Sequence, residues 1–126
     1  MDNKNKNKNK NKNKNRKLYS DKLIEIDILI KKYEENYYSK KYTDSLDNLK
    51  TIVMLTNDTN KKSKYYTYMQ KLYAKYMREL GDLYQKLQFF DKAIHCYKNV
   101  LEIETDKTII EIINRQLCIC YFENLD

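Results

Sequence analysis

Residues 80–104 read LGDLYQKLQFFDKAIHCYKNVLEIE. Leu80, Leu83, Tyr84 and Leu87, and after a short break Ala93, Ile94, Tyr97, Val100 and Leu101, recur at three- and four-residue steps, the period of a helix with one apolar face. Gly81 is the only glycine of the chain. It falls inside the first run, where glycine costs roughly 1 kcal/mol against alanine, and such a position usually has a packing reason. Ala93, one of two alanines with Ala74, stands near the start of the second run. Two antiparallel helices joined across Lys86–Phe90, meeting where each presents a small residue, satisfy both observations.

Working outward, residues 63–87 form the clearest amphipathic stretch. At about 100° per residue, Tyr65, Met69, Leu72, Tyr73, Tyr76, Leu80, Leu83, Tyr84 and Leu87 share one half of the wheel, and Lys64, Lys71, Lys75, Arg78, Glu79, Asp82 and Lys86 the other. The second helix of the pair spans about 91–104, with Asp91 as its N-cap. A further helix over about 108–125 opens with Thr108 and Glu111 in a capping-box pattern and ends in Leu117-Cys118-Ile119-Cys120-Tyr121-Phe122, apolar on every side. Upstream, Tyr42, Leu46, Leu49, Ile52 and Val53 mark a helix over about 42–56, followed by a polar break at 57–62. Tyr19, Leu23, Ile26, Ile30, Tyr33 and Tyr37 mark another over 18–38. Ile24, Ile26, Ile28 and Ile30 also alternate like a strand, but the longer pattern and the charged stretch 31–36 favour helix.

Composition agrees. The 126 residues contain no proline and one glycine, too few turn formers for tight hairpins or a glycine-rich phosphate loop. No run approaches the ~18 apolar residues of a membrane span, and the start has no apolar signal core. Charge is unevenly placed. Residues 1–17, MDNKNKNKNKNKNKNRK, hold seven Lys, Arg16 and Asp2, which accounts for the whole net charge of +7. The other 109 residues carry 17 basic and 17 acidic side chains. With no apolar residue between Met1 and Leu18, the segment 1–17 is expected to be a disordered low-complexity tail, and 18–126 a single helical domain. Asn, Lys, Ile and Tyr are over-used along the whole chain, so A+T-rich coding with repeat slippage also accounts for the tail. If the tail has a partner, its charge suits a polyanion such as RNA or an acidic surface, held without sequence reading.

The stretch 74–107 resembles the tetratricopeptide repeat, a helix–turn–helix unit of about 34 residues. Leu80-Gly81 stand at the family's Leu-Gly pair, with Tyr84 at the aromatic position three residues on. Ala93 stands at the alanine of the second helix, Tyr97 at its aromatic position and Val100 at the next small one. Met77 replaces the family's tryptophan, and Thr105-Asp106 replace its closing proline. Downstream, Cys118 and Tyr121 repeat the small and aromatic positions 37 residues on. Upstream, Tyr42, Ser45, Leu46 and Leu49 repeat the second helix 48 residues earlier, so the period is not kept. The resemblance implies an all-α fold of antiparallel hairpins stacked as a short right-handed solenoid; a plain bundle is the alternative. It implies a protein–protein interaction or scaffold module without catalysis, binding a peptide or partner subunit along its first-helix groove. The groove positions fall on Lys75, Arg78, Glu79, Asp82, Gln85 and Lys86, with Arg115 and Gln116 from the next repeat. The family's carboxylate-clamping pair would fall on Arg78 and Asp82. Asp82 repels a carboxylate, so a mixed-charge ligand is expected. Solenoids need several repeats and a polar cap, so the apolar last helix is expected to be covered, by further repeats of a longer chain, by self-association or within a larger complex.

Other chemistry finds little support. Cys96, Cys118, Cys120 and His95 offer metal-ligand types, but Cys118 and Cys120 point about 200° apart on a helix, as do neighbours like His95 and Cys96 in lesser degree. Three cysteines read better as small apolar residues of a reducing compartment. One histidine supports no nucleophile set, and Glu34-Glu35 and Glu102/Glu104 sit among other charges, so neither an enzyme nor a metal or other cofactor is expected. Lys64-Tyr65-Tyr66-Thr67-Tyr68 through Arg78 interleaves bases with aromatics, a pattern of nucleic-acid stacking, but most of those tyrosines fall on the apolar half of the wheel. A cytoplasmic location is expected, with a nuclear one as the alternative.

Overall fold

The computed structural model describes residues 2–57 and 60–125, with side chains from Leu18 onward. Five helices follow one another: α1 (Asp2–Tyr38), α2 (Tyr42–Thr56), α3 (Tyr66–Lys86), α4 (Phe90–Leu101) and α5 (Lys107–Asn124). Among the described residues there is no strand. α1 reaches back through the Asn/Lys stretch. The expectation of a disordered tail over 1–17 falls on residues whose side chains lie outside the described set.

The apolar period places the core where three- and four-residue steps put it. Ile26 of α1, Leu49 and Ile52 of α2, Met69 and Leu83 of α3, Ala93, Tyr97 and Val100 of α4, and Ile113 and Cys120 of α5 are all buried. Ile24 and Ile28 are exposed, so the alternating pattern in α1 belongs to a helix with one buried stripe. Each helix packs mainly on its neighbours in the chain: α1 on α2, α2 on α3, α3 on α4 and α4 on α5.

The two pairs α1–α2 and α3–α4 are closed by the same turn. At the end of α1, Lys41 N–H donates to Asn36 C=O and Lys40 N–H to Tyr37 C=O. At the end of α3, Phe89 N–H donates to Tyr84 C=O and Gln88 N–H to Gln85 C=O. Lys40 and Gln88 both have positive φ, 60° and 67°. Each turn is therefore a Schellman closure with a non-glycine residue in the left-handed position. The correspondence, at an offset of 48 residues, extends into the following helix. Ser45, Leu46, Leu49 and Ile52 are buried in α2, and Ala93, Ile94, Tyr97 and Val100 in α4.

Gly81 lets α3 and α4 come close. A Cβ built there would stand 2.9 Å from Tyr97 Cε1 and 3.2 Å from Cys96 Cβ. The close approach of α3 and α4 at Gly81 is present, but the atoms nearest Gly81 belong to Cys96 and Tyr97, one turn beyond the Ala93 expected from sequence. α3 is also buried more widely than a single stripe. Ala74, Met77 and Gly81 join Met69, Tyr76, Leu80, Leu83 and Tyr84 in the core, because the helix lies between α2 and α4 rather than on an edge.

Two caps differ from expectation. α5 begins two residues earlier than a Thr108 cap requires, because the Asp106 carboxylate accepts from Thr108 N–H and Ile109 N–H. α4 starts after Phe89 without a side-chain cap. Asp91 lies in its first turn and accepts instead from Asn124 Nδ2 of α5 at 2.7 Å. The last helix, apolar on every side near its end, is covered on one side only: Ile113, Leu117 and Cys120 are buried, while Ile112, Ile119, Tyr121 and Phe122 are exposed.

Candidate functional site

α1 and α3 run side by side in the same direction. At one end Tyr19 packs on Tyr65, ring centroids 4.6 Å apart. At the other, Lys86 Nζ lies 5.4 Å from the Tyr37 ring and 5.1 Å from that of Tyr42, within cation–π reach. Each helix is held by its own partner, α1 by α2 and α3 by α2 and α4, and a cleft of about 340 Å³ opens between them. Its walls are Tyr33, Glu34, Tyr37 and Tyr38 from α1 and Glu79, Asp82 and Leu83 from α3.

The register of the α1 wall is set from behind. Ser45 Oγ on α2 donates to Tyr33 C=O at 3.2 Å, and Asn36 Nδ2 donates to Asn48 Oδ1 at 2.8 Å. The α3 wall is set by α4. The Tyr97 hydroxyl donates to Asp82 Oδ1 at 2.5 Å and lies 2.9 Å from Gln85 Oε1. Tyr97 is wholly buried, so its hydroxyl marks where the core ends and the cleft wall begins.

The cleft is acidic, and partial burial makes that charge unfavourable. Glu79 Oε2 is inaccessible to solvent and has no hydrogen-bond partner. Burial raises the Glu79 pKa. Lys75 and Arg78 pull it back, and Asp82 and Glu34 push it further up. Burial also raises Asp82, against the Tyr97 hydrogen bond and Arg78. The phenol of Tyr33 is pushed well up, by burial first and then by Glu79. Tyr76 is raised to about 12 by burial and then Glu79. The phenols of Tyr33 and Tyr76 therefore remain neutral beside the carboxylates.

On the other flank of α3 a second cleft, about 680 Å³, runs between Tyr66–Arg78 and the segment from Ile103 to Ile109. Lys71, Lys75 and Arg78 line one wall, Glu104 and Asp106 the other. α3 thus separates two clefts of different charge.

Of the residues predicted from sequence, Glu79 and Asp82 lie in the first cleft, and Lys75 and Arg78 in the second. Gln85 lies beside the Tyr97 hydroxyl, and Lys86 is at the tyrosine rim of the first cleft. Arg115 is exposed and Gln116 half-buried on α5; neither lines these two clefts. Sequence reasoning missed the α1 wall, having treated Tyr33 and Tyr37 as core. The signal available was the clustering of three tyrosines and a glutamate, Tyr33-Glu34 and Tyr37-Tyr38, within the last turns of one helix.

Among the described residues no three His, Cys, Asp or Glu side chains converge as metal ligands. Cys96 and Cys120 are buried and Cys118 is exposed. His95 is exposed, with Nε2 3.3 Å from Asn99 Nδ2. No described helix is long and apolar enough to cross a membrane. Comparison with protein families, curated proteins and solved structures finds nothing that matches the chain.

Proposed function

We propose that the chain is a protein–protein interaction module of the tetratricopeptide-repeat type, holding a peptide or partner subunit against the two flanks of α3 and carrying out no catalysis. The observation that carries this reading is the pair of clefts, one with Glu34, Glu79 and Asp82 and the other with Lys71, Lys75 and Arg78. Such a surface suits a ligand of mixed charge, because each end of it meets its complement and a reversed ligand meets like charge. The repeated α1–α2 and α3–α4 closures and the chain-neighbour packing support a repeat architecture.

The test is partner capture on the immobilised full chain, compared with K75E/R78E and E34Q/E79Q variants whose helicity is verified. Captured proteins that depend on either variant support the reading. Capture indifferent to both sets of changes removes α3 as the binding surface. Asp82 is a poor first choice for mutation, because its bond to Tyr97 makes it part of the α3–α4 contact.

A second reading is polyanion binding through residues 1–17, favoured by the placement of the entire net charge there. Salt-sensitive RNA binding that disappears when the seven tail lysines become glutamine supports it. Binding unchanged by that replacement removes it.

A further inference from the structure

The first cleft differs from a solvated acidic face in three respects. It is concave, and its volume of about 340 Å³ lies at the small end of the ~300–1,000 Å³ of ligand clefts, enough for one long side chain. Three of its seven lining residues are tyrosines, whose ring faces attract cations within about 6 Å. Glu79 is half-buried in its wall, with Oε2 shut off from solvent and given no donor by the described residues, so its charge is poorly compensated from within. The rim already displays the chemistry, with Lys86 over Tyr37 and Tyr42.

We propose that this cleft is a cation pocket, taking the ammonium or guanidinium of a lysine or arginine side chain from a partner peptide. The inference rests on the interaction-module reading and names the ligand chemistry of one of its two clefts. The alkyl stem lies along Leu83 and the rings of Tyr33 and Tyr37. The charged head donates to Glu79, with Glu34 and Asp82 supplying the remaining negative charge. Tyr38, largely exposed at 82 %, is free to fold over the stem. Among the described residues, the cations that act on Glu79 are Lys75 and Arg78 of α3. Both line the opposite cleft, which leaves the negative charge of this cleft to an incoming cation.

The test uses the full chain and two capped tripeptides, N-acetyl-Gly-Lys-Gly-amide and its norleucine counterpart, which keeps the stem and lacks the charge. Titration followed by NMR should give saturable shifts at Tyr33, Tyr37 and Leu83 with the lysine peptide, and affinity at least about tenfold weaker with norleucine. E79Q should weaken the lysine peptide by about tenfold. If E79Q fails to fold, E34Q, at an exposed position, should still weaken it severalfold. Equal shifts with both peptides, or parent-like affinity in both variants, overturn the proposal. Partner capture that persists in those same variants but fails in K75E/R78E leaves the module reading standing alone. Replacing the seven lysines of residues 1–17 with glutamine, in the full chain, identifies the source. Tighter peptide binding marks the chain's own tail as a resident competitor, and unchanged binding marks a separate peptide; both keep the pocket.

Discussion

Gly81 and Tyr97 are in van der Waals contact across the α3–α4 crossing, so closely that a methyl group on Gly81 would fall 2.9 Å from the ring edge. The ring has little room to retreat, because it is fully buried and its hydroxyl is bonded to Asp82. G81A gains about 1 kcal/mol of helix propensity but forces the crossing apart, and overpacking of this kind costs about 1–3 kcal/mol. The expected outcome is a net loss in denaturant unfolding. Tyr97→Leu in the same chain should relieve part of it, so that the double-mutant cycle shows a coupling of about 1 kcal/mol.

Tyr97→Phe isolates the hydroxyl. Packing against Gly81 stays, and the bond to Asp82 is lost. Hydrogen bonds to charged groups contribute about 1.5–3 kcal/mol, and Asp82 retains solvent-exposed surface from which water can replace the donor. A loss near the lower end, about 1.5 kcal/mol, is expected by chemical denaturation.

The cleft carboxyls predict a direction for pH dependence. Glu79 and Asp82 are raised from ordinary values of 4.5 and 3.8, in each case chiefly by burial. The folded chain therefore holds these protons to higher pH than the unfolded chain. Their contribution to stability is fullest below the ordinary values and is lost as pH rises through the raised ones. Relative to parent, E79Q should lose less stability as pH rises from about 5 to 7, measured as the difference in Tm between the two proteins across that range. A parent-like slope in E79Q contradicts the assignment.

Thiol reactivity should separate the three cysteines. Burial pushes the Cys96 thiol up to about 12, which leaves about one thiolate in ten thousand at pH 8. Cys120 is raised by burial and then by Asp82, and Cys118 is exposed. Iodoacetamide on the native chain should modify Cys118 alone, and all three after unfolding, as read by intact mass. Early labelling at Cys96 would mean that the α3–α4 contact opens.

The paired turns offer a stabilising change. Lys40 and Gln88 occupy left-handed backbone at 60° and 67°, a region that costs a non-glycine residue roughly 1–2 kcal/mol. K40G and Q88G remove that strain at some expense in unfolded-chain entropy. Each should raise stability by about 0.5–1 kcal/mol, checked by thermal melts of the single and double variants.

How much of this was legible in the sequence follows from which forces act locally. The five helices and most of the core were readable, because Leu46, Leu49, Ile52, Leu80, Leu83, Ile94, Tyr97 and Val100 hold the helical period. Gly81 announced a close approach, though not that Tyr97 would fill it. The turns at Lys40 and Gln88 were invisible, because left-handed positions are recognised by glycine or asparagine and neither is present. The start of α5 was misplaced because Asp106, two residues before Thr108, accepts from Thr108 N–H and Ile109 N–H and so caps the helix earlier. The charged half of α3 was read as one ligand groove, but α1 and the α4–α5 link close over its flanks and divide it into two cleft walls. That closure brings Tyr33 within reach of Glu79 across 46 positions of chain, a distance no local pattern encodes.

Because every helix leans chiefly on the ones before and after it in sequence, no extensive contact among the described residues locks the first helix to the last. A tether pulling on the C-terminus would meet resistance one helix at a time, with α5, which has a single supporting neighbour, peeling away first and α3 yielding only after α4 has gone. The cleft between α1 and α3 would thus outlast the loss of the last helix under load, and the molecule would lengthen in steps.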